Sequence, residues 1–143
     1  MQPILFHTAD RPFILKNKKL LKAFIKTIFE LEGKKVNRIN YIFCSDDYLL
    51  QINKEYLQHN FYTDIVTFDL SEGSSIIGEI YVSIDRVKDN ALQQGNSFRI
   101  EALRVLFHGV LHLCGYNDKK KSEITKMREK EDYYLTLFDQ KYP

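Results

Sequence analysis

The 143-residue chain has two cysteines, Cys44 and Cys114, three prolines and six glycines, and no apolar run near the roughly 18 residues of a membrane span. Two cysteines exclude a disulfide framework and suit a reducing compartment. Met1–Phe6 is followed at once by His7, Asp10 and Arg11, so no signal-peptide pattern forms, and the expected location is the cytoplasm. No linker rich in Pro, Gly or Ser and no repeat divides the chain, so a single domain over residues 1–143 is expected. Hydrophobic residues at 44% and charged residues at 28% exclude collagenous and disordered readings.

An excess of charge of one sign is also lacking overall, since the net charge is only +2. Its distribution is uneven. Residues 1–40 hold nine Lys and Arg against three acids, whereas the rest of the chain holds twelve against sixteen. Lys16–Leu31 reads as an amphipathic helix, with Leu20, Leu21, Phe24, Ile25, Ile28 and Phe29 on one side. Its other side carries Lys18, Lys19, Lys22 and Lys26, either a solvated face or a contact for an acidic partner. Gly33 is its expected stop.

Strands are expected at Pro3–His7, Val36–Cys44, Thr63–Leu70 and Ile76–Ser83, the last two joined by a hairpin-length loop at residues 71–75. Ser45 caps a helix running to Tyr56, and helices follow over Ile84–Gln94, Arg99–Leu113 and Ser122–Phe138. Sheet followed by consecutive helices predicts an α+β fold: a small mixed β-sheet of about four strands with about five helices.

The segment His108–Asp118 carries the chemistry. Positions four apart on a helix lie one above the other, so His108 and His112 present two imidazoles on one face, the spacing that chelates a transition metal. Gly115 suits a left-handed stop, which would turn the chain so that Asp118 supplies a third ligand. Cys114 lies about 200° round the helix from His112 and is expected in the core rather than at the metal. Protease-type zinc helices place a glutamate base after the first histidine, where this chain has Gly109. The base must then come from elsewhere; Asp64, Asp69, Glu79 and Asp85 are the carboxylates near the sheet, with Asp64 and Glu79 as weak candidates.

The histidine pair followed by Leu113, Gly115 and Tyr116 resembles the YbeY-type metal-dependent endoribonucleases, or rRNA maturation factors. Leu50–Tyr56, Thr63–Phe68 and Gly78–Ile80 resemble the same family in the same order. The resemblance implies one zinc-type ion held by His108, His112 and Asp118 with an open coordination position. It implies single-strand-directed cleavage of ribosomal RNA, in 16S 3′-end maturation and in quality control of the small subunit and the ribosome. Ribosomal RNA and the small ribosomal subunit are the implied partners, with Lys18, Lys19, Lys22 and Lys26 as candidate RNA contacts.

Two departures matter. Asp118 stands where the family usually has histidine, an anionic ligand that favours harder divalent ions such as Mn²⁺ beside Zn²⁺. Leu57 stands where the family commonly has an RNA-binding arginine, leaving His59, Lys54 or the first helix to serve. His7 and His59 are otherwise read as surface histidines, Tyr116 and Asn117 as turn residues, and Tyr133, Tyr134 and Phe138 as helix packing. Competing functions are a metal-dependent amide hydrolase and a ribosome-associated binding protein whose metal is structural. The residues leave the oligomeric state open.

Overall fold

The computed structural model describes residues 2–143, and among them four strands form one sheet accompanied by five helices. In chain order these are β1 (Ile4–Thr8), α1 (Lys18–Leu31), β2 (Lys35–Cys44), α2 (Asp46–Leu57), β3 (Ile65–Asp69), β4 (Ser75–Ser83), α3 (Ile84–Gln94), α4 (Phe98–Leu113) and α5 (Lys121–Lys141). The sheet order is β1-β2-β4-β3. The pairs β1/β2 and β2/β4 are parallel and β3/β4 antiparallel, which makes the sheet mixed, as expected for an α+β fold.

Strand alternation sorts residues between the two faces. Ile39, Tyr41 and Phe43 of β2 and Ile76, Ile80 and Val82 of β4 are buried in the main core with residues of α1, α4 and α5. A smaller cluster joins Cys44, Leu49 and Val66 with Ile52, Phe68 and Tyr81, so α2 lies against the other face. Serines start three helices by accepting the backbone N–H three residues on: Ser45 from Tyr48, Ser83 from Arg86 and Ser97 from Ile100. α1 starts at Lys18 rather than Lys16, because Asn17 takes a left-handed conformation at φ 60° and breaks the helical run there.

α4 is the central element. Ala102, Leu103, Val105, Leu106, Phe107, Val110, Leu111 and Leu113 bury it nearly all round, as a helix between layers requires. Two glycines let it sit close to the sheet. A Cβ on Gly109 would lie 3.0 Å from Ile80 Cδ1 and 3.1 Å from Ile65 Cδ1, and one on Gly78 would lie 2.7 Å from Leu113 Cδ1. The position after the first histidine is therefore a helix-to-sheet contact with no room for a glutamate base.

Candidate metal centre

The site forms at the end of α4. The helix closes through Gly115 at φ 104°, with Tyr116 N–H donating to Leu111 O at 3.0 Å and Gly115 N–H to His112 O at 3.0 Å. That pair of bonds is the Schellman closure, and it needs the left-handed residue that glycine supplies. The chain turns as expected and brings Asp118 back over the helix. Asp118 Oδ2 lies 3.2 Å from His108 Nε2 and 3.3 Å from His112 Nε2. Among the described residues this is the group of His, Cys, Asp or Glu side chains able to hold an ion, with its ligand atoms all within 4.8 Å of one another.

Both imidazoles are oriented from behind. His112 Nδ1 lies 2.9 Å from the carbonyl of Tyr116. A carbonyl only accepts, so Nδ1 carries the proton and the Nε2 lone pair faces Asp118. His108 Nδ1 donates to Glu131 Oε2 at 2.6 Å, and Glu131 Oε1 accepts from Arg104 Nη1 at 3.0 Å. Such partners fix tautomer and ring angle in metal sites. Tyr116 is more than a turn residue: its hydroxyl donates to Glu32 Oε1 at 2.7 Å, and Glu32 also accepts from Tyr134 and Lys130. The carbonyl holding His112 is thereby tied to the end of α1 and to α5.

The donor set fits a divalent ion. Ligands about 2.0–2.1 Å from a tetrahedral zinc lie roughly 3.3 Å apart, close to the spacing of Asp118 Oδ2 to both nitrogens. The electrostatics agree. Burial alone would lower the pKa of His108, yet Glu131, Asp118 and Asp64 raise it, so the surroundings favour positive charge there. Cys114 takes no part: burial pushes its thiol up to about 12, and it packs against the core.

The triad opens on two clefts that share Asp64, Ile65, His108 and Asp118. The smaller, about 290 Å³, is also lined by Glu101, Arg104, Arg128 and Glu131. The larger, about 560 Å³, is also lined by Leu57, His59, Phe61, His112 and Lys119. Asp64 thus stands beside the triad, and burial raises its pKa against the opposing pull of His108 and Arg86. Glu79 does not reach the site. On β4 it alternates with the inward Gly78 and Ile80, lines neither cleft, and lies 3.3 Å from the Tyr81 hydroxyl. Asp69 lines the larger cleft but not the smaller, and Asp85 is engaged by Arg11 and the backbone of Asp46. Lys18, Lys19, Lys22 and Lys26 line neither cleft; Lys18 and Lys22 lie over the rings of Phe13 and Phe6.

Glu131, Arg104 and Arg128 are the site residues that sequence reasoning missed. A signal existed for the first. Met127, Glu131, Tyr134 and Phe138 are the buried residues of α5, and a lone carboxylate within that apolar stripe marks a place where burial must be matched by a partner.

A family model described as Endoribonuclease YbeY matches residues 7–139. An Endoribonuclease YbeY of Cytophaga hutchinsonii is 47% identical over 95% of this chain and 96% of its own length. One of Parabacteroides distasonis is 42% identical over 94% of each chain. Among solved structures, the solution structure of a Thermotoga maritima protein aligns over 97% of this chain and 91% of its own, with a TM-score of 0.62 and 28% identity.

Proposed function

The chain belongs to the YbeY endoribonuclease family, and from that premise we propose that His108, His112 and Asp118 hold one divalent cation with which it hydrolyses single-stranded RNA. One observation carries the reading: three ligand atoms converge, while each imidazole is fixed through Nδ1 by a separate partner. A bound cation at this place supplies Lewis acidity, lowering the pKa of a water and neutralising charge on a phosphoryl oxygen. The chain's own residues do the rest. Asp64, which lines both clefts beside the triad, takes or returns a proton in this reading. Lys119 in the larger cleft and Arg128 in the smaller give each flank of the triad a cation for the phosphates on either side of the cut.

Three protein ligands beside open clefts suit a catalytic rather than a closed structural site. Asp118 makes Mn²⁺ a competent substitute for Zn²⁺. The finer reading is cleavage of small-subunit ribosomal RNA at its 3′ end, and quality control of assembled ribosomes, by a cytoplasmic enzyme whose one domain carries the activity. The lysines of α1 stand outside both clefts, so they serve only RNA extending well beyond the cleaved segment. The test is incubation of the purified protein with precursor small-subunit RNA, with chelator and with added Zn²⁺ or Mn²⁺. Cleavage lost on chelation and restored by either ion is expected; cleavage indifferent to the chelator contradicts the reading.

A further inference from the structure

The larger cleft contains an aromatic pair that neither the core nor the metal triad uses. Phe61 is 55% exposed, and its ring stacks on that of His59 at a centroid separation of 5.0 Å and an interplanar angle of 20°. Both residues line the cleft that holds His108, His112, Asp118 and Lys119. Exposing this much apolar ring to water is unfavourable, and a flexible loop would fold the ring inward.

The loop is not free to do so. Asn53 of α2 is only 1% exposed and holds it from both ends: its Nδ2 donates to Phe61 O at 3.0 Å, and its carbonyl accepts His59 N–H at 3.1 Å. Gln58, at the end of α2, takes the left-handed conformation that turns the chain into this arrangement. One buried asparagine thus fixes the backbone of both rings. The neighbouring exposed aromatics are engaged elsewhere. Tyr62 donates its hydroxyl to Asp47 and lies under Arg86, while Tyr56 meets Phe68 edge-on, and neither lines the cleft.

We propose that the His59–Phe61 stack is a base-stacking platform, on which an unpaired nucleobase next to the scissile phosphate rests while Lys119 meets the backbone. The inference rests on the RNA-cleaving reading above and adds to it a binding site that gives the single-strand requirement a physical cause. A base inside a duplex is already stacked on both faces, so only a single-stranded or splayed nucleotide offers a face to Phe61. The platform is indifferent to base identity, because every base has a π-face. It therefore selects for strandedness rather than sequence.

The test measures equilibrium binding of short single-stranded oligoribonucleotides, intact or with one abasic nucleotide moved along the sequence, to the wild type, F61A and F61W. Phe61 is on the surface, so both variants are expected to fold, checked by their melting temperatures. Wild type should lose roughly 5- to 150-fold in affinity at one abasic position, the range expected for one stacked base. F61A should lose a similar factor on intact RNA and be insensitive to the abasic position, and F61W should restore both. Equal affinities for wild type and F61A, or an abasic penalty that persists in F61A, would overturn the platform even if the protein cleaves RNA. Binding that follows this pattern without any cleavage would support the platform and overturn the nuclease reading instead.

Discussion

Replacing Glu131 by glutamine removes one negative charge from behind His108 while keeping the side chain's size. In the wild type the carboxylate accepts from His108 Nδ1 at 2.6 Å and from Arg104 at 3.0 Å, and its side chain is only 6% exposed. The amide can still accept from one of them through its oxygen, but its NH₂ has no acceptor in Arg104 or in the protonated Nδ1. His108 then loses its fixed angle or its basicity. Loss of such a partner costs about 10- to 100-fold in metal affinity, or about 1.4–2.7 kcal/mol. The assay is competition with a chromophoric chelator for Zn²⁺, beside thermal unfolding of the metal-free protein. E131A should bind metal as weakly and also be less stable, because the half-buried Arg104 keeps only Asp132 as an acidic partner among the described residues. That extra loss should fall below the roughly 3–5 kcal/mol of a fully broken buried pair. Wild-type zinc affinity in E131Q would refute the claim that Glu131 supports the site through His108.

Three further outcomes follow from other parts of the molecule. Glu32 is held below its ordinary carboxyl value of 4.5, since hydrogen bonds from Tyr134, Tyr116 and Lys130 outweigh the opposing effect of burial. Its contribution is full above that ordinary value and is lost as pH falls through the lower folded value, so denaturant unfolding of E32Q should show a flatter acid limb than wild type; an unchanged limb contradicts the assignment. G109E restores the glutamate of protease-type helices but forces it against Ile80 and Ile65, and it should destabilise by at least about 3 kcal/mol in thermal or urea unfolding instead of creating a base. A stable G109E would show that α4 does not pack as closely as described. Changing Lys18, Lys19 and Lys22 together to Glu should weaken binding of long structured RNA and flatten its salt dependence, while cleavage of a short oligonucleotide stays at the wild-type rate; a loss on the short substrate would bring α1 into the cleft.

The sequence carried the element order and the convergence of His108, His112 and Asp118 because both depend on local spacing. Periodicities of two and of 3.6 residues placed β4 and α4 within a residue of their observed bounds, and Ser45 marked the start of α2 through a bond only three residues long. His108, His112 and Asp118 are likewise joined by one helix and one glycine turn. Glu79 was decidable from parity: Gly78 and Ile80 face α4, so a residue between them faces away. Glu131 was not legible as the partner shared by His108 and Arg104, because their meeting depends on how α5 crosses α4. The lysine face of α1 was evident in composition, but its distance from the clefts is a product of sheet order, which charge does not encode. Phe61 was hidden for a similar reason, since the asparagine that holds it lies eight residues earlier on α2.

The most direct measurement is metal content and RNA cleavage, taken together, for the purified wild type and for H108A, H112A and D118A, each with its melting temperature. About one divalent ion per chain is expected in the wild type, with loss of both ion and cleavage in all three folded variants. Retention of the ion by D118A, or cleavage by any variant that no longer binds metal, would contradict a three-ligand catalytic centre at the end of α4.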